Sequence, residues 1–255
     1  MHDALTPVLQ ALDGLARPLA LFIRDDDAGW DDARLLALLD ATARAAVPID
    51  LAAIPLAVSP PLAAELNARI DAAPALVGVH QHGCTHDNHQ AEGRKCEFGP
   101  ARDTRRQRAD LQGGRLLLQQ CFGARLQPIF TPPWNRCAAH TPALLAELGF
   151  AALSRDRGAA PQDELPELPV DVDWTRQHRA GGAPAVAQAL VQAVQQRGAD
   201  GAPLGLMLHH AVMERAELAL FEGWLARLAR HPQARWQPMQ ALLAPALRTR
   251  IPETP

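Results

Sequence analysis

Val77-Gly78-Val79-His80-Gln81-His82-Gly83-Cys84-Thr85-His86-Asp87-Asn88-His89 is a short apolar run that opens into a histidine cluster, with four of the chain's ten histidines in ten positions. Imidazole is the commonest biological metal ligand and titrates near neutrality, so the cluster proposes a metal site or an acid–base site. His82 and His86 are four apart and share one face of a helical turn or tight loop. His80 and His82 are two apart and share one face of an extended segment. With residues 76–79 read as a strand, the cluster falls at a strand's C-terminal end, where α/β folds place their chemistry.

Upstream, residues 18–23 are a continuous apolar run of strand length, read as a buried parallel strand ending in Arg24-Asp25-Asp26-Asp27-Ala28-Gly29-Trp30. Three adjacent carboxylates repel one another unless a cation or Arg24 offsets them, which marks Asp25 to Asp27 as functional. Asp31 and Asp32 suit the cap of a helix over 33–46. A proline-bounded strand at 48–55 and a helix at 60–71 complete a β-α-β-α-β order, the signature of a parallel sheet or barrel with right-handed crossovers.

Downstream, the loop 80–100 is long enough to be a binding segment. A helix over 102–122, weakened by Gly113-Gly114, leads to a strand at 126–130 and to Thr131-Pro132-Pro133-Trp134-Asn135-Arg136, where two prolines present a bulky aromatic. A helix at 142–148 and a strand at 150–154 follow. Alternation in Asp171-Val172-Asp173-Trp174 places both carboxylates on one side, and Gly181-Gly182 breaks the chain before a helix at 184–197. Residues 203–210 form an apolar strand ending in His209-His210, of which only one can readily face a shared site. A helix at 214–230 and the segment 236–247 close the domain, while residues 1–17 form an N-terminal arm or helix.

The 255 residues, 48% of them apolar, suit one α/β domain. A net charge of −3 gives no pull toward nucleic acid, and no run of about 18 apolar residues offers a membrane span. The start lacks the basic-then-apolar order of a signal peptide, so a cytoplasmic location is expected. Cys84, Cys96, Cys121 and Cys137 are expected to be free thiols. One carboxylate and two neutral imidazoles with open positions would suit a catalytic divalent ion, foremost zinc.

The order of these parts resembles the polysaccharide deacetylases of the NodB-homology group, carbohydrate esterase family four. Asp26-Asp27-Ala28-Gly29 resembles that family's first motif with one residue inserted, and His82-Gly83-Cys84-Thr85-His86 matches its second without a gap. Thr131-Pro132-Pro133-Trp134, Asp171-Val172-Asp173-Trp174 and Leu206-Met207-Leu208-His209 are similar to the third, fourth and fifth. The His-Gln-His-Gly and Lys-x-Glu-Phe-Gly segments resemble a WbmS-like branch from O-antigen loci.

The resemblance implies a single-domain distorted (β/α) barrel of about seven parallel strands that removes an acetyl group from an N-acetylated sugar, either a small molecule or an oligosaccharide, in surface polysaccharide biosynthesis. Asp26 becomes the general base, with Asp25 as a shifted substitute, and His209 the general acid, with His210 as substitute. Asp27, His82 and His86 become ligands of a divalent metal, zinc with cobalt, nickel or manganese as alternatives. Trp134, through its backbone N–H, and Asp173, Trp174 and His80 fall on the substrate and oxyanion side. Thr131 departs from the family, whose arginine at that position orients the base; Arg24 or Arg136 could supply the charge. The alternatives are a sugar-binding module that has lost chemistry and a hydrolase of non-sugar amides. Oligomeric state is left open.

Overall fold

β1 (Leu19–Ala28) is the central strand of a sheet whose order is β5-β4-β3-β2-β1-β7-β6, with every pairing parallel. The computed structural model describes residues 3–248, so Met1 and His2 of the expected N-terminal arm lie outside the described residues. The partners of β1 are β2 (Ile49–Ala53), β7 (Leu204–Leu208) and, at its first three residues, β8 (Ala234–Trp236). β3 (Val77–His82), β4 (Leu126–Thr131) and the two-residue β5 (Ala152–Leu153) extend one side, and β6 (Val172–Asp173) ends the other. Single bridges from Leu153 to Glu167 and from Asp156 to Val170 lace the two edges together. The result is a single α/β domain with a curled, barrel-like sheet of seven parallel strands, as expected, and β8 added on β1.

Helices cover the outside. α2 (Asp32–Arg44) begins at Asp31, whose carboxylate accepts from the Arg34 N–H; Asp32 lies in the first turn instead of capping. α3 (Pro60–Ala72) begins at Ser59 in the same way, with prolines at its first positions. α4 (Thr104–Phe122) runs through Gly113 and Gly114 unbroken, and α5 (Thr141–Glu147) follows β4. α1 (Thr6–Asp13) docks on α6 (Trp174–Asp200), burying Val8 and Leu12. α7 (Arg215–Leu228) and α8 (Met239–Arg248) complete the shell. Leu35, Leu38, Leu51, Leu66, Val79 and Leu206 belong to the main core between this shell and the sheet. Roughly 1.5–3 kcal/mol per fully buried aliphatic side chain holds the layers together. No helix among the described residues is long and apolar enough to cross a membrane.

Three boundaries differ from the sequence expectation. β1 continues five residues beyond Ile23, through the charged run to Ala28, because its backbone stays paired to β2 and β7 while its buried charges find partners inside. β3 continues to His82, so His80 and His82 belong to the strand itself. Gly181 and Gly182 kink α6 internally, and the helix starts at Trp174, capped by Asp173.

Candidate active site

At the C-terminal end of β1, Asp27 takes a left-handed backbone (φ 72°), as does His86 (φ 63°) in the loop after β3. Such conformations cost non-glycine residues roughly 1–3 kcal/mol and cluster at functional sites. Asp27 Oδ1 lies 3.3 Å from His82 Nε2 and 3.1 Å from His86 Nε2. One ligand atom from each residue falls within 4.8 Å of the others. His82 Nδ1 donates to the Thr131 carbonyl at 3.0 Å, which fixes the proton there and leaves Nε2 to face Asp27. Asp27 Oδ1 is buried and finds no well-directed hydrogen-bond donor among the described residues. Burial alone would raise the Asp27 pKa, but the His82 and His86 imidazoles hold it well below the usual carboxylate range. A buried carboxylate oxygen facing two imidazole nitrogens is a donor set that fits a divalent cation with open positions.

The loop bearing His86 is fastened from below. Glu97 is fully buried, and its carboxylate accepts from the Cys84 N–H (3.2 Å), the Thr85 N–H (2.9 Å) and the Thr85 hydroxyl (3.1 Å). Gly83, with φ 61°, fits between: a Cβ there would collide with Glu97 and Pro133. The His86 ring lies between Trp30 and Trp134, with centroids 4.7 and 4.5 Å away.

Beside this triad, Arg24 and Asp26 are both buried and two apart on β1, so they share its inner face. Arg24 Nε and Nη2 donate to the two Asp26 oxygens at 2.8 and 2.9 Å. Nη1 donates to Ser154 Oγ, and Nη2 also donates to Asn135 Oδ1. Burial pushes the Asp26 pKa up, but Arg24 first, then His82 and His209, reverse this and lower it. Arg24 therefore places a cation directly against Asp26. Arg136 instead donates to the Lys95 carbonyl. Thr131 instead holds two histidines of β3, with its carbonyl on His82 Nδ1 and its hydroxyl 2.9 Å from His80 Nε2.

A cavity of about 350 Å³ opens over these groups, lined by Asp26, Asp27, His82, His86, Trp30, Trp134, Lys95 and His209. His209 is partly exposed, with Nδ1 3.9 Å from Asp173 Oδ1. His210 differs. Its Nδ1 donates to Asp25 Oδ2 and its Nε2 to the Trp30 carbonyl, both at 2.6 Å, which spends both ring nitrogens and also occupies Asp25. Burial opposes the charge, but Asp25 pushes the His210 pKa up to about 9.

Four expectations are corrected by placement. His210 and Asp25 pair with each other, so neither substitutes for the acid or the base. His80 is fully buried behind Thr131, where burial pushes its pKa down to about 3, and it does not line the cavity. Trp174 packs in the core against Phe221 and Trp224, away from any substrate. Asp171 turns to Arg157 and the Gly205 N–H, so it does not share a side with Asp173. Trp30, Lys95 and Glu97 were missed; loop residues without periodicity carry no signal beyond their side-chain type.

The protein is similar in structure to a candidate polysaccharide deacetylase from Mycobacterium smegmatis, at TM-score 0.70 and 16% identity over 91% of each chain. The chain has the polysaccharide-deacetylase fold. That fold is shared by a family 4 acetyl xylan esterase from Clostridium thermocellum in complex with a cobalt ion, at TM-score 0.59 and 13% identity, covering 91% of this chain and 92% of that one. It is shared too by Puue allantoinase, at TM-score 0.66 and 14% identity, covering 92% and 91%. No family model and no curated protein sequence matches the chain. One fold thus carries more than one reaction, and the chemistry resides in the site's side chains.

Proposed function

We propose that the protein belongs to the polysaccharide-deacetylase family and is a metal-dependent amidase that removes the acetyl group from an N-acetylated sugar. The observation that carries this reading is the convergence of Asp27, His82 and His86 beside an Asp26 gripped by Arg24, in one cavity with His209. Asp27, His82 and His86 would hold the divalent ion. When bound, such an ion acidifies water from a pKa of about 15.7 toward about 7 and polarises a carbonyl oxygen.

The chain's own residues do the rest. Asp26, kept ionised by Arg24, accepts the proton of the attacking water at a carboxylate oxygen. His209, across the cavity and beside Asp173, delivers a proton to the departing amine nitrogen. Each such group contributes roughly 10²–10⁴-fold. The Trp134 backbone N–H is assigned to the oxyanion, and Trp30 and Trp134 wall the cavity with apolar faces suited to a sugar ring. The Arg24 grip on Asp26 supports catalysis over a sugar-binding module that has lost its base.

Acetate release from a panel of N-acetylated mono- and oligosaccharides, with allantoin included, tests the reading. Zinc- or cobalt-dependent release that disappears in Asp26→Asn is expected. Turnover of allantoin alone, or no turnover of any sugar, would reject it.

A further inference from the structure

We infer that the substrate carries an anionic, phosphate-type group beside its acetamide, bound in the groove floored by Thr175 and walled by Arg176 and Arg179. This rests on the amidase reading and narrows its substrate class. The groove, about 410 Å³, shares Asp27 and His209 with the catalytic cavity, so its occupant is the same molecule next to the reacting amide. Arg176 and Arg179 are exposed on the first turns of α6, and neither forms an ion pair with a carboxylate among the described residues. Arg176 acts on Asp156 only at longer electrostatic range.

The carboxylates that line the groove and the cavity are committed elsewhere: Asp26 to Arg24, Asp27 to the two histidines, and Asp173 to the Arg176 N–H and His209. Thr175 is 3% exposed, lines the groove, and its hydroxyl has no partner among the described residues. A buried hydroxyl without a partner is costly, and an acceptor oxygen in the groove would satisfy it. Two planar guanidinium forks and a hydroxyl donor match a phosphate better than a neutral sugar hydroxyl. Lys95, over the Trp134 ring on the other wall, adds a third cation to the cavity. Because groove and cavity meet at His209, the anionic group belongs on the same sugar residue as the amide, as in an N-acetylated sugar 1-phosphate or diphosphate.

Calorimetric titration of the full chain with inorganic pyrophosphate, UDP-N-acetylglucosamine and N-acetylglucosamine, at low and high salt, tests this. Pyrophosphate should bind wild type and lose at least tenfold in affinity in Arg176→Ala/Arg179→Ala and with added salt. UDP-N-acetylglucosamine should bind at least tenfold tighter than the free sugar, an advantage that vanishes in the double variant. A short-chain prenyl diphosphate sugar as a further arm separates lipid-linked from nucleotide-linked substrates. No pyrophosphate binding, or binding that survives the double substitution, overturns the inference. Binding needs no turnover, so the two readings separate: acetate release without anion binding removes this one alone, and arginine-dependent anion binding without acetate release removes the amidase.

Discussion

Arg24 sits buried behind Asp26, two residues back on the same strand, and its guanidinium holds both carboxylate oxygens of its neighbour at 2.8 and 2.9 Å. With Arg24 on both of its oxygens, Asp26, the proposed base, has a cation beside it without an arginine at Thr131. Arg24→Lys keeps the charge and loses the fork, so kcat/KM should fall by about 10²-fold, the scale of one general-base contribution. The acid limb of the pH–rate profile should move to higher pH, because Arg24 is the first of the groups that lower the Asp26 pKa. An unmoved acid limb would show that Asp26 is not the base.

His209 and His210 should separate activity from stability. His209→Ala should abolish turnover with little change in Tm. His210→Ala should strand the buried Asp25 and cost about 3–5 kcal/mol. The His210 pKa rises from 6.5 to about 9, so its stabilisation is complete below pH 6.5 and is lost as pH climbs through about 9, worth roughly 3 kcal/mol. Thermal denaturation across pH 6 to 10 in wild type and both variants checks this.

Asp50, the register partner of Arg24 on β2, provides an opposite case. Its Oδ2 accepts from the Met239 N–H at the start of α8, and burial pushes its pKa up from 3.8 to about 6. Protonation therefore favours the folded state, and that advantage is lost as pH rises through about 6. Asp50→Asn keeps an acceptor for Met239 and removes the buried charge. It should raise stability at pH 8 by up to about 3 kcal/mol and leave it unchanged near pH 4. Denaturant melts at the two pH values decide; equal shifts at both would refute the assignment.

Glu97 should act through the ligand loop. Glu97→Gln weakens the grip on the Cys84 and Thr85 N–H groups, so metal affinity should drop by about 10–100-fold while bound stoichiometry at saturation is kept. Competition with a chelator of known affinity measures it, and an unchanged affinity would leave Glu97 with folding alone.

Much of the fold was legible because parallel strands buried on both faces read as apolar runs, and prolines and caps marked the helices. The three carboxylates and the histidine pair were legible because clustered charge without a partner is costly. What escaped reading is the polar interior of the barrel. Arg24 was legible as a cation for the neighbouring carboxylates, but its other partners, Ser154 and Asn135, lie 130 and 111 residues away and carry no local signal. Adjacent His209 and His210 could not be ranked until Asp25 was seen to claim one. Trp174 beside a carboxylate looked like a substrate wall, yet Asp173 caps the helix and turns the indole into the core.

The central claim is that Asp27, His82 and His86 share one divalent ion. Elemental analysis of dialysed protein after loading with zinc or cobalt addresses it without any substrate. The account predicts one ion per chain in wild type, and loss of that ion in Asp27→Ala and His82→Ala that remain folded by circular dichroism. Full occupancy in both variants, or no ion in wild type, would contradict it.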